Sequence, residues 1–246
     1  MQIFVTNLST LVTDRSAYDM TLCVSQQARQ HMAPAFGIIP PQVTFLPKGR
    51  SAPAGSYVIG ILDDADQAGD LGWHTEGPGG VVYGRVFARP VLQNGGNIMS
   101  AELSVSSVLS HEVLETVGDQ HCNLWADVDG STAYAYEVGD PVESDSYSVT
   151  IAAGTGESVL AMVSNFVLPA WFDPQAPAGA RLDYMGLTTA PFEVRPTGYV
   201  IVLSEGRVSQ HWGEHYPAWK RATKQSETSR TARITSRHAA GGRAYG

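Results

Sequence analysis

At 246 residues, 43% of them hydrophobic and 16% charged, the chain has enough apolar material for one full core, alone or with a subdomain, and no apolar run of membrane-spanning length. Its two cysteines, Cys23 and Cys122, lie far apart, which excludes a disulfide framework and suits a reducing, cytoplasmic setting. The net charge of −8 gives an acidic body, which argues against a nucleic-acid-binding core.

The opening Met-Gln-Ile-Phe-Val-Thr-Asn lacks the basic region, long apolar stretch and small-residue cleavage site of a secretory signal, so a cytoplasmic location is expected. Ile3 to Val5 reads as a short strand. Ser16 to Ala33 reads as a helix, with Tyr18, Leu22, Val24, Ala28 and Met32 at its apolar positions and Pro34 after its stop. A turn at Ile39-Pro40-Pro41 leads into a strand from Val43 to Leu46, and Tyr57 to Leu62 is the most strand-like run. That run ends at Asp63-Asp64-Ala65-Asp66, where a polar strand-end loop is a better account than a calcium site. Residues 69–84 are glycine-rich and contain Trp73 and His74, the latter read as a surface loop residue. Tyr83 to Leu92 reads as a strand that Pro90 places at an edge or a strand end. Asn94-Gly95-Gly96-Asn97 is a loop, and Ser100 is the expected N-cap of the helix that follows.

That helix carries Ser110-His111-Glu112-Val113-Leu114-Glu115-Thr116-Val117-Gly118-Asp119-Gln120-His121. Val105, Val108, Leu109, Val113, Leu114 and Val117 make it apolar around much of its circumference, and charge buried there needs a partner, for which a metal is a common choice. His111 and Glu115, four apart, share a face, and Glu112 points beside them. Gly118 permits the left-handed backbone that ends a helix, after which His121 is able to fold back as a third ligand.

The string H-E-x-x-E-x-x-G-x-x-H resembles the metzincin signature H-E-x-x-H-x-x-G-x-x-H, with Glu115 where that family has histidine; a carboxylate is an accepted zinc ligand. The resemblance implies Zn2+ held by His111, Glu115 and His121, with Glu112 as the general base that takes a proton from a metal-bound water attacking a peptide bond. Met162 and Met185 are both candidates for the family's Met-turn. The order of helix, strands and active-site helix also resembles zincin-like peptidases, in which an edge strand above the site pairs with an extended substrate. Gly84, Arg85, Val86, Phe87 and Ala88 form the candidate for that strand, or else an edge blunted by Arg85 and Arg89.

Past His121 the chain turns loop-rich and acidic. Asp127-Val128-Asp129-Gly130-Ser131 resembles the start of a calcium loop without the bidentate glutamate. If His121 points away, Glu137 or Asp140 is the alternative third ligand, or an orienter of His111; the bland account is that both cap turns at the Gly139-Asp140-Pro141 corner. Tyr147 to Ile151 and Val159 to Val167 read as a hairpin, followed by an aromatic and proline-rich segment to Pro174. Tyr184 is either a donor to an oxyanion or a core tyrosine. Tyr199 to Leu203 is a strand. From Lys220 onward there are seven basic residues and one acid, Glu227; removing these from the totals of 16 and 24 leaves nine basic and 23 acidic residues before it. Such a tail is too poor in large apolar residues to fold alone.

Residues 1–205 also resemble a set of uncharacterised bacterial and phage-borne proteins, through Ser110-His111-Glu112-Val113-Leu114-Glu115, Tyr136-Glu137-Val138 with Asp140-Pro141-Val142-Glu143, and Ser164-Asn165-Phe166-Val167 with Pro169 and Phe172. This resemblance opens a second reading: a virion component, for decoration or tail association, in which a metal only stiffens the fold and the basic tail docks on other phage structural proteins. The leading expectation is an α+β fold. A zincin-like mixed sheet with the active-site helix occupies residues 1–125, a β-rich half of the same domain occupies 126–219, and a flexible basic tail occupies 220–246. Its expected activity is zinc-dependent hydrolysis of a peptide or protein substrate.

Overall fold

The structure is a computed structural model that describes residues 1–66, 70–152 and 157–224. Strand β1 (Gln2–Asn7) turns Ile3 and Val5 into the core and leads to α1 (Asp14–Gln27), whose first turn is capped by the Thr13 hydroxyl accepting from Ser16 N. Asp63, expected in a polar strand-end loop, ties down this β1–α1 turn by accepting from Thr10 N at 2.8 Å and Leu11 N at 3.1 Å. Helical backbone does not stop before Pro34. It passes through a π turn at Ala28–Met32 into α2 (Ala33–Phe36) and ends at Gly37, with Pro34 in the first turn of α2, where a missing N–H is least costly.

β2 (Gln42–Leu46) and β3 (Tyr57–Leu62) both pair parallel with β1. The glycine-rich segment expected as a loop contains β4 (Gly72–Glu76), which pairs antiparallel with β5 (Val82–Phe87); β5 in turn pairs parallel with β3. The sheet order is β2-β1-β3-β5-β4. The expected substrate edge at Gly84, Arg85, Val86 and Phe87 is therefore an interior strand: its backbone is committed to β3 and β4, and Val86 and Phe87 are fully buried. The edge beside it is β4. The strand also stops short of Leu92, because α3 (Ala88–Gln93) begins at Ala88 with Pro90 in its first turn, where proline is tolerated.

Helix α4 (Val105–Gly118) is capped by Ser104 rather than Ser100. Ser104 Oγ accepts from Ser107 N at 3.1 Å while Ser107 Oγ accepts from Ser104 N at 3.0 Å, a reciprocal capping box. Asn97 holds Ser100 instead, accepting from its N–H at 2.8 Å. β6 (Trp125–Asp127) and β7 (Thr132–Ala135) follow, joined by a turn in which Asp127 accepts from Gly130 N at 2.6 Å and Asp129 from Ser131 N at 2.9 Å. The expected hairpin is present as β8 (Ser146–Ala152) and β9 (Ser158–Ser164), shorter than Val167. It lies on α1 and α4, so these two helices are enclosed between the hairpin and the five-stranded sheet, and one apolar core runs through all three layers.

β10 (Tyr199–Ser204) and β11 (Arg207–Trp212) complete an antiparallel sheet of order β11-β10-β7-β6. The aromatic segment supplies Phe166, Trp171 and Phe172 to a second cluster that packs on Leu114, Val138 and Val142. The described residues thus form an α+β fold. The expected tail begins inside α5 (Ala218–Lys224), where Lys220 is buried with Nζ 3.2 Å from Glu143 Oε1, an ion pair that lets its stem join the body. The rest of the expected arm, residues 225–246, lies outside the described residues. Among the described residues no helix is long and apolar enough to cross a membrane.

Candidate metal centre

Helix α4 projects His111 and Glu115 from one face, as their four-residue spacing requires. His111 Nε2 lies 3.0 Å from Glu115 Oε1 and 3.3 Å from Asp140 Oδ1, with Glu115 fully buried and Asp140 nearly so. Asp140 reaches this point on a single 3-10 turn, Asp140–Val142, anchored where Val167 N donates to Val138 O at 2.8 Å and Arg195 N to Pro141 O at 2.9 Å. Gly139, the residue before it, passes directly against the His111 ring: a Cβ there would stand 2.5 Å from Nδ1.

Two buried carboxylates facing one imidazole create a demand for positive charge. Burial by itself pushes His111 toward the neutral form. The Glu115 charge and hydrogen bonds to Asp140 and Glu115 outweigh it, so its pKa is held well above the ordinary histidine value. A proton or a divalent cation would each meet that demand in the same place. Asp140 Oδ2 is buried and makes no hydrogen bond among the described residues. One ring nitrogen with two carboxylate oxygens is a donor set that zinc accepts, so the residues fit the ion.

Glu112, next on the helix, turns toward β4. Gly72 leaves it room, since a Cβ at that position would meet Glu112 Oε1 at 2.8 Å. Glu112, His111, Gly72, Leu71, Glu143 and Lys220 are among the residues that line a cavity of about 300 Å3. His74 of β4 also faces this group. Expected as a surface loop residue, it is fully buried, with Nδ1 3.6 Å from Glu112 Oε2 and 3.8 Å from Glu115 Oε2. Sequence reasoning missed it because flanking glycines obscured a strand. The available signal was the β-prone Trp73 and Thr75 on either side of it.

His121, the expected third ligand, is not brought to His111 and Glu115. Its Nδ1 lies 3.1 Å from Glu76 Oε2 at the end of β4, on a side chain 38% exposed. The cause is local. Gly118 has no left-handed backbone and serves instead as a close-packing position, where a Cβ would lie 3.0 Å from Val138 Cγ1. The chain turns after it at Asp119, whose carboxylate accepts from Asn123 N at 3.1 Å and Leu124 N at 3.0 Å. Of the two alternatives, Asp140 joins the cluster, whereas Glu137 belongs to neither group of metal-capable side chains found among the described residues, His111–Glu115–Asp140 and His74–Glu112–Glu115. Tyr184 does not line the cavity. Its ring is taken up in stacking on His31 at 4.7 Å and Phe166 at 5.2 Å, with the Arg181 guanidinium over it at 4.8 Å, as a packed tyrosine. No protein-family model, curated protein or solved structure matches this chain.

Proposed function

We propose that the chain is a zinc-dependent hydrolase of zincin-like layout that cleaves a peptide bond, with His111, Glu115 and Asp140 holding the ion and Glu112 as the base. The observation that carries this reading is the convergence of His111 Nε2, Glu115 Oε1 and Asp140 Oδ1 beside a cavity that Glu112 borders. Zinc bound there supplies Lewis-acid activation of water and of the scissile carbonyl. Glu112 follows His111 directly and precedes Glu115 by three residues, which places it beside both α4 ligands, able to take the proton of an attacking water and pass it to the leaving amine. Leu71 and Val108 give the cavity apolar walls that limit competing water. The His121–Glu76 contact steadies the end of β4, the sheet edge beside the site. Support for the zincin-like layout comes from the mixed sheet with its antiparallel edge strand next to the H-E-x-x-E helix.

Elemental mass spectrometry on the wild type, His111→Ala, Asp140→Asn and His121→Ala tests the ligand set. About one zinc per chain is expected in the wild type and in His121→Ala, and little in the other two. Zinc kept by Asp140→Asn and lost from His121→Ala would overturn it. Glu112→Gln is expected to retain the zinc while turnover in a peptide-library assay falls by roughly 10²- to 10⁴-fold. Full turnover in that variant rules out Glu112 as the base.

A further inference from the structure

We infer that His74, Glu112 and Glu115 form a second divalent-cation site that shares the Glu115 carboxylate with the first, and that filling it withdraws Glu112 from service as the base. The inference rests on the reading of His111, Glu115 and Asp140 as the first site.

The His74 ring is oriented by a contact of 3.0 Å between Nε2 and the Asp119 carbonyl. A carbonyl only accepts, so Nε2 carries the hydrogen, which leaves Nδ1 as the ring nitrogen that can ligate an ion on the carboxylate side. Backbone carbonyls orient metal-bound histidines in this same way. The distances from Nδ1, 3.6 Å to Glu112 Oε2 and 3.8 Å to Glu115 Oε2, are too long for hydrogen bonds. They are close to the separation of roughly 3.4 Å between neighbouring ligands of a tetrahedral ion with bonds of about 2.1 Å.

Glu112 Oε2 supplies an independent observation. It lies on a residue 3% exposed, is buried, and makes no hydrogen bond among the described residues although it points into this group. Glu115 joins the two sites: Oε1 faces His111 while Oε2 faces His74, the bridging arrangement that two-metal centres use. Charge sets the order of filling. Glu112, Glu115 and Asp140 bring three negative charges when ionised, so one divalent ion leaves the group at −1 and a second takes it to +1. The second ion is therefore held more weakly than the first, against the repulsion of its neighbour.

The test is calorimetric titration of the chelator-stripped, full-length chain with zinc chloride, with bound zinc counted after equilibrium dialysis. Two sequential ions are expected, the second at least about tenfold weaker. His74→Ala and Glu112→Gln should each remove or weaken the second step by about tenfold or more while leaving the first in place. His111→Ala and Asp140→Asn should remove the first. Since His74 is buried, the thermal midpoint of its variant is recorded alongside; Glu112→Gln, nearly isosteric, keeps the test decisive if His74→Ala does not fold. Saturation of the wild type at one ion overturns the inference, as does a second step unchanged by both variants, which would place that ion at a surface pair such as His121–Glu76. In either case loss of the remaining step in His111→Ala leaves the hydrolase reading standing. A tight step that survives both His111→Ala and Asp140→Asn sinks the hydrolase reading instead.

Discussion

A Cβ at Gly139 would stand 2.5 Å from His111 Nδ1, so the ring can direct Nε2 to Glu115 and Asp140 only above a bare backbone. Gly139→Ala must rotate that ring or displace the turn bearing Asp140. Zinc affinity measured by calorimetry is expected to fall about 10- to 100-fold, the usual penalty for disturbing a ligand's support; unchanged affinity would mean that His111 is not held from this side. Asp183 is a second residue whose surroundings define its chemistry. Fully buried, it accepts from Asn165 Nδ2 at 2.8 Å, Leu187 N at 2.7 Å and Thr188 N at 2.6 Å. Burial works to raise its pKa, but these donors outweigh burial and hold it below the ordinary carboxylate value. A lowered folded-state pKa stabilises the fold above the unfolded value near pH ~3.9, and that contribution disappears as pH falls through the folded value. Asp183→Asn should cost about 3 kcal/mol at neutral pH, and its thermal midpoint should fall less steeply than the wild type's below pH ~4. Parallel pH profiles would remove Asp183 as the source.

At the scale of elements, α4 carries His111, Glu112 and Glu115, so whatever holds its N-terminus also aims the centre. Ser104→Ala breaks one half of the capping box and should lower stability in urea unfolding by about 1 kcal/mol; Ser100→Ala, at the position the sequence suggested, should change it far less. The helix was legible because its signal is periodic and local, with valines and leucines recurring on the faces turned to the sheet and the hairpin. β4 was not. Two of its five residues are glycine and histidine, and it becomes a strand because β5 pairs with it and α4 packs over it, neither of which a local window records. The same limit explains the misplaced edge: Gly84 to Phe87 was recognised as strand, but sheet order depends on which neighbour fills each side.

Across the whole molecule, the last described helix is locked to the turn that delivers Asp140. Lys220 Nζ and the Tyr216 hydroxyl both bind the Glu143 carboxylate, at 3.2 and 2.7 Å, three residues beyond Asp140. Burial, followed by the Glu143 charge, raises the Tyr216 pKa far above its ordinary value, so the phenol remains a donor. Lys220→Ala leaves a partly buried carboxylate without its cation and is expected to cost about 3 kcal/mol in chemical denaturation. A loss below about 0.5 kcal/mol would show that the contact behaves like an exposed pair. Sequence alone determined the α+β class, the acidic body and the shared face of His111 and Glu115, because composition and helical phase are set by residues a few positions apart. The placement of Asp140 rather than His121 beside His111 and Glu115, the burial of His74 and the identity of the edge strand were decided only by tertiary structure. Each depends on where a distant segment packs: the Asp119 turn sends His121 toward Glu76, and the turn after Gly139 brings a carboxylate to a helix it does not adjoin in sequence.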